Sequence, residues 1–277
     1  MDKKYELHFD CTTGVSGDMI LGSLIDLGVN IDRLKQELSK LNLGSFELDS
    51  RAEEKYGIKG INVYIQEKDQ EHNHIHDHNH SHDLNHEHNH EHTHSHENHL
   101  AGNSQRSYKE IERIIINGNF SDGIKNRAIS IYKTIAEAEA KAHETDIEHV
   151  HFHEVGRNIA ILNIVGAAVC LELLEVEKIT CSELHDGTGF IECSHGLIPV
   201  PVPAVQELLK GTGFKFVQEE KNVEMVTPSG LGILKGLHAS YVKVTPVAPL
   251  KVGYGFGKKD IGELSVVSAY LLDKSCK

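Results

Sequence analysis

The residues with the clearest chemical meaning form a histidine-rich segment in the first half of the chain. Between residues 69 and 99 the sequence contains thirteen histidines, most of them at every second position. Neutral imidazole is the commonest protein ligand for borderline transition metals such as nickel, zinc and cobalt. The predicted metal ligands in this segment are His72, His74, His76, His78, His80, His82, His86, His88, His90, His92, His94 and His96. The segment predicts a protein that handles such a metal, but it does not indicate which chemistry follows.

Seven acidic side chains and no aromatic residue accompany these histidines. With so little apolar surface to offset the chain entropy, residues 69–105 are predicted to be disordered in the absence of metal. An expression tag is a poor alternative, because the segment is internal and never places two histidines side by side. A solvated polar spacer is the other alternative, but a spacer has no need of thirteen imidazoles. We interpret residues 69–105 as a metal-binding insertion.

A second group of metal-ligand types lies in the sequence EHVHFHEVG, residues 148–156. In an extended chain, alternation places His149, His151 and His153 on one face, with Glu154 at the junction to the next helix. Three imidazoles and a carboxylate match the ligands of a nickel or zinc site, so this group is predicted to have a metal-binding role. A structural role for these histidines is the alternative.

The loop after the first predicted strand combines two aspartates with small residues. Asp10 ends the strand, and Asp18 lies in the first turn of the following helix. The free N–H groups at a helix N-terminus suit a phosphate or carboxylate, so Ser16 and Gly17 are candidate anion ligands. The aspartates could instead hold a metal-bound phosphate, or the loop could be a simple joint with Ser16 as the N-cap. The loop is not a Walker motif, because the GK[ST] ending is missing.

Two segments of the second half also contain candidate binding residues. Thr227 and Ser229 precede a predicted helix, where their hydroxyls could bind an anion or simply cap the helix. His195 lies between turn glycines and a run of prolines that restrict the backbone, as expected for a shaped binding loop. A rigid surface connection explains the same proline run equally well.

The elements that must position these residues are predicted to be both helices and strands. Periodicity predicts helices over about 17–27, 31–41, 121–143, 159–174 and 203–211 and a short helix from 227 through 237. It predicts strands over 5–9, 46–51, 58–66, 178–183, 247–254 and 264–272. We therefore predict an α+β fold, a mixed sheet with packed helices, in which residues 1–68 and 106–277 form a single core interrupted by the disordered insertion 69–105. Loops from both halves are expected to form one shared cleft.

Composition limits the classes of function. The formal net charge of −13 argues against nucleic-acid binding, and no dense cluster of lysines and arginines offsets it. No uninterrupted apolar run reaches about 18 residues, and the N-terminus MDKKYELHFD does not resemble a signal peptide. The five cysteines are scattered without a CxxC pair, which suits a reducing compartment. We expect a cytoplasmic protein with no membrane or nucleic-acid partner.

Five motifs in order resemble the nickel-pincer cofactor nickel-insertion proteins, the LarC family, from about residue 5 to residue 272. The motifs are FDCTTGVSGDM, HFHEVG, GTGFIECSHGLIPVPVPAVQELLKG, TPSG and GYGFGKKD. The resemblance implies a nickel chelatase of the lyase class. Its CTP-dependent cyclometallation inserts nickel into pyridinium-3,5-bisthiocarboxylic acid mononucleotide through one carbon–nickel and two sulfur–nickel bonds. The product serves lactate racemase and related enzymes.

This chemistry needs a nickel donor, a group that binds the substrate phosphate, and a base for the pyridinium C–H proton. We assign nickel delivery to the insertion and candidate base function to His195. The candidate nickel-holding residues are His151, His153 and Glu154. The candidate anion-binding residues are Ser16, Gly17, Thr227 and Ser229, with Asp10 and Asp18 holding a metal ion or orienting the loops.

Two departures from the family pattern matter. Family members usually continue HEVG with a stretch resembling AVDxIVDIVG, whereas Ile159 and Asn163 stand here at two of the expected aspartates. Members also continue into a C-terminal domain associated with CTP and a divalent cation (Mg or Mn). We therefore expect this chain to be the N-terminal part, needing that domain in cis or in trans. A non-catalytic nickel-binding or storage protein is the main alternative and an unrelated metal-dependent hydrolase the weaker one; assembly into a homo-oligomer stays open.

Overall fold

The structure is a computed structural model that describes residues 5–67, 106–194, 196–243 and 248–273. The predicted insertion ligands from His72 to His96 lie outside these residues, and so does the candidate base His195. The prediction of disorder for residues 69–105 concerns the same undescribed part of the chain.

Helices and strands alternate irregularly along the described ranges. The helices are α1 (Gly17–Asp26), α2 (Ile31–Leu38), α3 (Tyr108–Asn117), α4 (Asp122–Ala142), α5 (Asn158–Leu173), α6 (Pro203–Leu209) and α7 (Pro228–Gly236). The strands of the first half are β1 (Tyr5–Asp10), β2 (Phe46–Lys55), β3 (Ile58–Glu67), β4 (Arg106–Ser107) and β5 (His151–Phe152). Those of the second half are β6 (Val176–Cys181), β7 (Leu184–Asp186), β8 (Phe190–Cys193), β9 (Gly196–Pro199), β10 (Phe216–Gln218), β11 (Ser240–Tyr241), β12 (Lys251–Phe256) and β13 (Val266–Asp273).

Seven of these strands form one mixed sheet in the order β11-β6-β1-β13-β12-β3-β2. Strand β1, the third in this order, runs parallel to β6 and antiparallel to β13, although β1 and β13 are the first and last described strands along the sequence. Leu7 and Phe9 of β1 point to the same face of the sheet and are fully buried. The predicted α+β fold with a mixed sheet and packed helices is confirmed.

Helix α1 lies directly on the sheet because glycines remove the side chains between them. A Cβ atom built on Gly255 would lie only 1.9 Å from the carbonyl oxygen of Met19, and one on Gly253 only 2.2 Å from that of Ser23. Such contacts leave no room for any other residue type. The close approach fixes the height of α1 above β12, and with it the loop that precedes α1.

Helix α5 is the centre of the helical layer. Ten of its sixteen residues are buried, and it packs against α1, α2 and α4 as well as the sheet. A helix that is apolar all round must be covered on every side, and the nearly all-apolar sequence of α5 agrees with this burial.

Some predicted elements shift or divide in the structure. The second predicted helix ends at Leu38 and continues only as a short 3-10 turn over Ser39–Leu41. The strand predicted from residue 178 spans Val176–Cys181, and the one predicted over 247–254 is found at Lys251–Phe256. Helix α3 and the β8–β9 hairpin were not predicted. None of the helices in the described ranges combines the length and apolarity needed to cross a bilayer.

Helix α3 begins with a capping box, in which Ser107 and Glu110 satisfy each other's backbone N–H groups. Replacing Ser107 by alanine should lower the unfolding free energy by about 1 kcal/mol, because the N–H of Glu110 loses its side-chain acceptor and the Glu110 carboxylate loses the hydroxyl that donates to it. Urea unfolding of the full chain measures this loss. An unchanged midpoint would show that α3 is held by its packing alone.

Candidate functional site

A cleft of about 700 Å³ lies between the end of α4, the start of α5, the β8–β9 hairpin and the start of α7. Its lining has an unusual share of metal-ligand side chains and acids, together with a single lysine. These side chains are His143, His153, Cys193, Glu139, Glu154, Glu192, Glu224 and Lys259. All described residues that line the cleft fall between 139 and 259. The expectation of a cleft built by both halves is therefore met only in part.

Two imidazoles face the cleft from different elements. His143 caps the C-terminus of α4, and His153 follows β5 in the HFHEVG motif. Their ring centroids are 6.5 Å apart, with the ring planes tilted by 48°. Nε2 of His143 lies 3.6 Å from a carboxylate oxygen of Glu139, one helical turn earlier. Sequence reasoning found His153 but missed His143, whose only local signal is its position at the end of an amphipathic helix.

The other two predicted metal ligands of this motif lie in different surroundings. Glu154 lines the cleft and accepts a hydrogen bond of 3.1 Å from the hydroxyl of Ser194. His151 is exposed, is not part of the cleft lining, and lies opposite Ser107 in the short β4–β5 pair. Within the described ranges no three His, Cys, Asp or Glu side chains are grouped as a metal-ion site requires. The combination of His151, His153 and Glu154 stays a prediction.

The N-termini of α1 and α7 lie side by side. The backbone N–H of Thr227 donates to the carbonyl of Val15 over 3.0 Å, and Val15 forms a bridge with Val226. The Thr227 hydroxyl caps α7 by accepting from the N–H of Gly230 over 3.1 Å. Its oxygen is also 3.0 Å from the hydroxyl oxygen of Ser229. The two predicted anion-binding segments therefore meet, and Thr227 and Ser229 also line the cleft.

Gly17 also lies close to the start of α7. A Cβ atom on Gly17 would be 3.3 Å from the Ser229 hydroxyl oxygen, so little space separates the two helix starts. Ser16 is the N-cap residue of α1 by position, but its hydroxyl donates to the carboxylate of Asp18 and not to the helix backbone. Ser16 and Gly17 thus lie beside the cleft, behind Ser229.

The two predicted aspartates are engaged with their own loops. Asp10 accepts hydrogen bonds from the N–H and the hydroxyl of Thr12, at 3.1 and 2.7 Å. Asp18 accepts from Ser16 and lies 3.3 Å from the ammonium of Lys258. These contacts agree with the hypothesis that the aspartates orient the loops, and the alternative of a metal ligand stays untested.

A buried aspartate that sequence reasoning missed organises the opposite wall of the cleft. One carboxylate oxygen of Asp186 accepts from the backbone N–H groups of Gly187, Met225 and Val226, at 2.9, 2.7 and 3.1 Å. The residue is fully buried. Burial raises the pKa of Asp186, against the opposing effect of these N–H donors. Asp186 holds the segment before α7 in place, which sets the position of Thr227.

Glu224 and Lys259 form an ion pair in the cleft wall. Burial raises the pKa of Glu224, and the ammonium of Lys259 opposes the rise. Lys259 belongs to the GYGFGKKD motif, which places a cation next to the start of α7. An anion bound at this helix start would compete with Glu224 for that cation.

The two positions that depart from the family pattern lie on α5. Ile159 is 40% exposed. Asn163 faces α1, since its Cβ is 3.4 Å from where a Cβ on Gly17 would stand. The amide oxygen of Asn163 is buried and has no hydrogen-bond partner. Asn163 therefore lies next to the loop that is predicted to bind an anion, and Ile159 lies on the surface.

Comparison with known proteins gives a consistent picture. A family described as nickel insertion protein matches residues 7–276. A relative from Acetivibrio thermocellus is 40% identical over 267 residues, covering 96% of this chain and 60% of its own length. One from Lactiplantibacillus plantarum is 38% identical over 280 residues, covering 97% of this chain and 61% of its own. Both are named pyridinium-3,5-bisthiocarboxylic acid mononucleotide nickel insertion protein. The chain spans about three fifths of the length of these curated relatives. No solved structure matches it.

Proposed function

We propose that this chain, which belongs to the nickel insertion protein family, takes part in inserting nickel into pyridinium-3,5-bisthiocarboxylic acid mononucleotide. The observation that carries the proposal is one cleft that joins imidazole, thiol and carboxylate side chains to the N-terminus of α7. Imidazole, thiol and carboxylate side chains are suited to nickel, and a helix N-terminus is suited to a phosphate.

The substrate has chemical features that this cleft can recognise separately. Its phosphate would lie at the start of α7, beside the hydroxyls of Thr227 and Ser229, with Lys259 in the same cleft lining. Ser16 and Gly17 lie behind Ser229 and support this part of the cleft. The positive pyridinium ring fits a cleft whose lining holds four carboxylates and one lysine.

Nickel is the cargo of this reaction. We assign its supply to the histidine-rich insertion of residues 69–105 and its transient holding to the HFHEVG motif, in which His153 and Glu154 reach the cleft. His195 stays the candidate base for the pyridinium C–H proton, since its neighbour Cys193 lines the cleft. Asp10 and Asp18 act by keeping the loop before α1 in position.

We further propose that the reaction depends on CTP with Mg or Mn, held by the C-terminal domain of the family in cis or in trans. Because this assignment places CTP and its cation on that domain, we derive no step through CTP from the residues of this chain. In this proposal the chain contributes to a chelatase of the lyase class.

A metallation assay read by mass spectrometry tests the proposal. The purified full chain is mixed with nickel, CTP, Mg and the bisthiocarboxylated pyridinium mononucleotide, with and without a separately produced C-terminal domain of a relative. We expect nickel-containing product only when both proteins are present. Absence of product in every mixture, with nickel still bound to the chain, would contradict the proposal and favour a nickel-storage protein.

A further inference from the structure

We propose that His143 and His153 bind one nickel ion as a pair, and that the two thiocarboxylate sulfurs of the substrate complete its coordination. The inference rests on the proposed function for its substrate. It adds a nickel ligand outside the recognised motifs and explains why the described residues hold no closed metal site.

The geometry of the two rings permits a shared ion. A metal ion bonded to one nitrogen of each ring lies about 2 Å from both nitrogens. Two rings coordinating one ion at adjacent positions have their centroids about 5 Å apart. The observed separation is 6.5 Å, so a shift of about 1–2 Å by flexible side chains would suffice. His143 has this freedom, because its side chain is 44% exposed at the end of α4.

Glu139 supplies a positioning contact for His143. Its carboxylate lies 3.6 Å from Nε2 of the imidazole and is itself among the cleft-lining groups. Carboxylates that contact a metal-binding histidine commonly fix the orientation of the ring and increase its basicity. In the proposed site Nδ1 of His143 coordinates the ion, while Nε2 keeps its contact with Glu139.

A site with few protein ligands is what a metal-transfer reaction requires. Nickel(II) is commonly four-coordinate and square-planar, and a site with four protein ligands would retain the ion. Two imidazoles leave two positions for water, which the two sulfurs of a 3,5-bisthiocarboxylate can displace. No bond of the substrate breaks in this exchange, and only water leaves the nickel. The absence of a three-donor group among the described residues agrees with such an open site.

The test measures each histidine separately, because the insertion of residues 69–105 is expected to bind nickel as well. The full chain is titrated with nickel sulfate beyond saturation of the insertion and then treated with diethylpyrocarbonate, which modifies free imidazoles. Peptide mass spectrometry then reports the modification of each histidine. We expect His143 and His153 to become protected at the same nickel concentration. The exposed His238, at the end of α7 and not in the cleft lining, should keep reacting.

Matched variants separate a shared ion from two independent ones. In H143N, protection of His153 should need at least about tenfold more nickel. Removing only a residue that hydrogen-bonds to a metal ligand already lowers metal affinity by about this factor. H238N is the control and should leave both protections unchanged; asparagine suits the left-handed backbone at that position. If His153 is protected equally well in H143N, or if His143 reacts equally with and without nickel, the paired site is wrong.

The metallation assay distinguishes this inference from the proposed function. If the unmodified chain forms product and H143N forms it at the same rate, the paired site is overturned and the proposed function stands. If the unmodified chain forms no product while nickel protects both histidines together, the proposed function fails and the nickel pair is supported.

Discussion

Replacement of Gly255 by alanine is expected to lower the unfolding free energy by about 3 kcal/mol or more. The added methyl group would lie 1.9 Å from the carbonyl oxygen of Met19 and 2.5 Å from the N atom of Ser23. Both atoms belong to the backbone of α1, so no side chain can turn aside, and the whole helix must move away from β12. Guanidinium chloride unfolding followed by far-UV circular dichroism measures the loss.

Gly213→Ala is the matched control, because a Cβ atom there would meet nothing within 4 Å. Its unfolding midpoint should stay close to that of the unmodified chain. The Gly255 variant should also lose metallation activity, since α1 carries Ser16 and Gly17 at its start. Equal stability of the two variants would show that α1 does not pack as closely on the sheet as described.

Replacement of Asp186 by alanine is expected to have the second large effect, about 3 kcal/mol. Three buried N–H groups, those of Gly187, Met225 and Val226, would lose their acceptor, and each lost bond costs about 1 kcal/mol or more. The segment before α7 would become free to move, which would also weaken binding of an anion at Thr227. Urea unfolding and the metallation assay measure the two consequences.

Asp186→Asn provides the control, because an amide oxygen can accept the same three hydrogen bonds. It should lose less stability than the alanine variant. Some loss remains, because the second carboxylate oxygen of Asp186 is buried without a hydrogen-bond partner, and the amide N–H groups that replace it would find no acceptor there. Equal losses in both variants would show that the three hydrogen bonds do not stabilise the loop.

The pH dependence of the asparagine variant follows from the raised pKa of Asp186. A carboxyl whose pKa is higher in the folded than in the unfolded state binds its proton more tightly when folded. The unfolding free energy of the unmodified chain therefore falls as the pH rises from the unfolded-state pKa through the raised folded-state pKa. Since asparagine does not titrate, the deficit of Asp186→Asn should be smaller at about pH 7 than near about pH 4.

Much of the fold could be predicted from sequence because its elements have strong local patterns. The apolar sequence of α5 and the alternation in β2 and β3 led to elements that the structure contains. Helix α3 was missed because three consecutive isoleucines, Ile114–Ile116, obscure its amphipathic period, while its capping box and contacts with α4 stabilise it. The β8–β9 hairpin was missed because its residues are mostly exposed or half-buried, so it lacks the alternating burial that reveals a strand.

Residues of the site could be predicted only where a short sequence motif contains them. Thr227, Ser229, His153 and Glu154 were found from local sequence and do line the cleft. Asp186 was missed because two of its hydrogen-bond partners lie 39 and 40 residues further along the chain. Likewise, the relation of His143 to His153 depends on how the end of α4 packs near β5, which no local spacing encodes.

The pairing of β1 with β13 bears on how the protein is made. Strand β1 is synthesised long before β13, and its other partner β6 is complete once residue 181 has been added. The side of β1 that pairs with β13 then waits for residues 266–273, with its N–H and C=O groups open to other nascent chains. Thr13, which follows β1, also exchanges hydrogen bonds with Val266. We therefore expect translation that stops before residue 266 to leave an open edge on β1 and to remove the hydrogen bonds that hold the loop before α1.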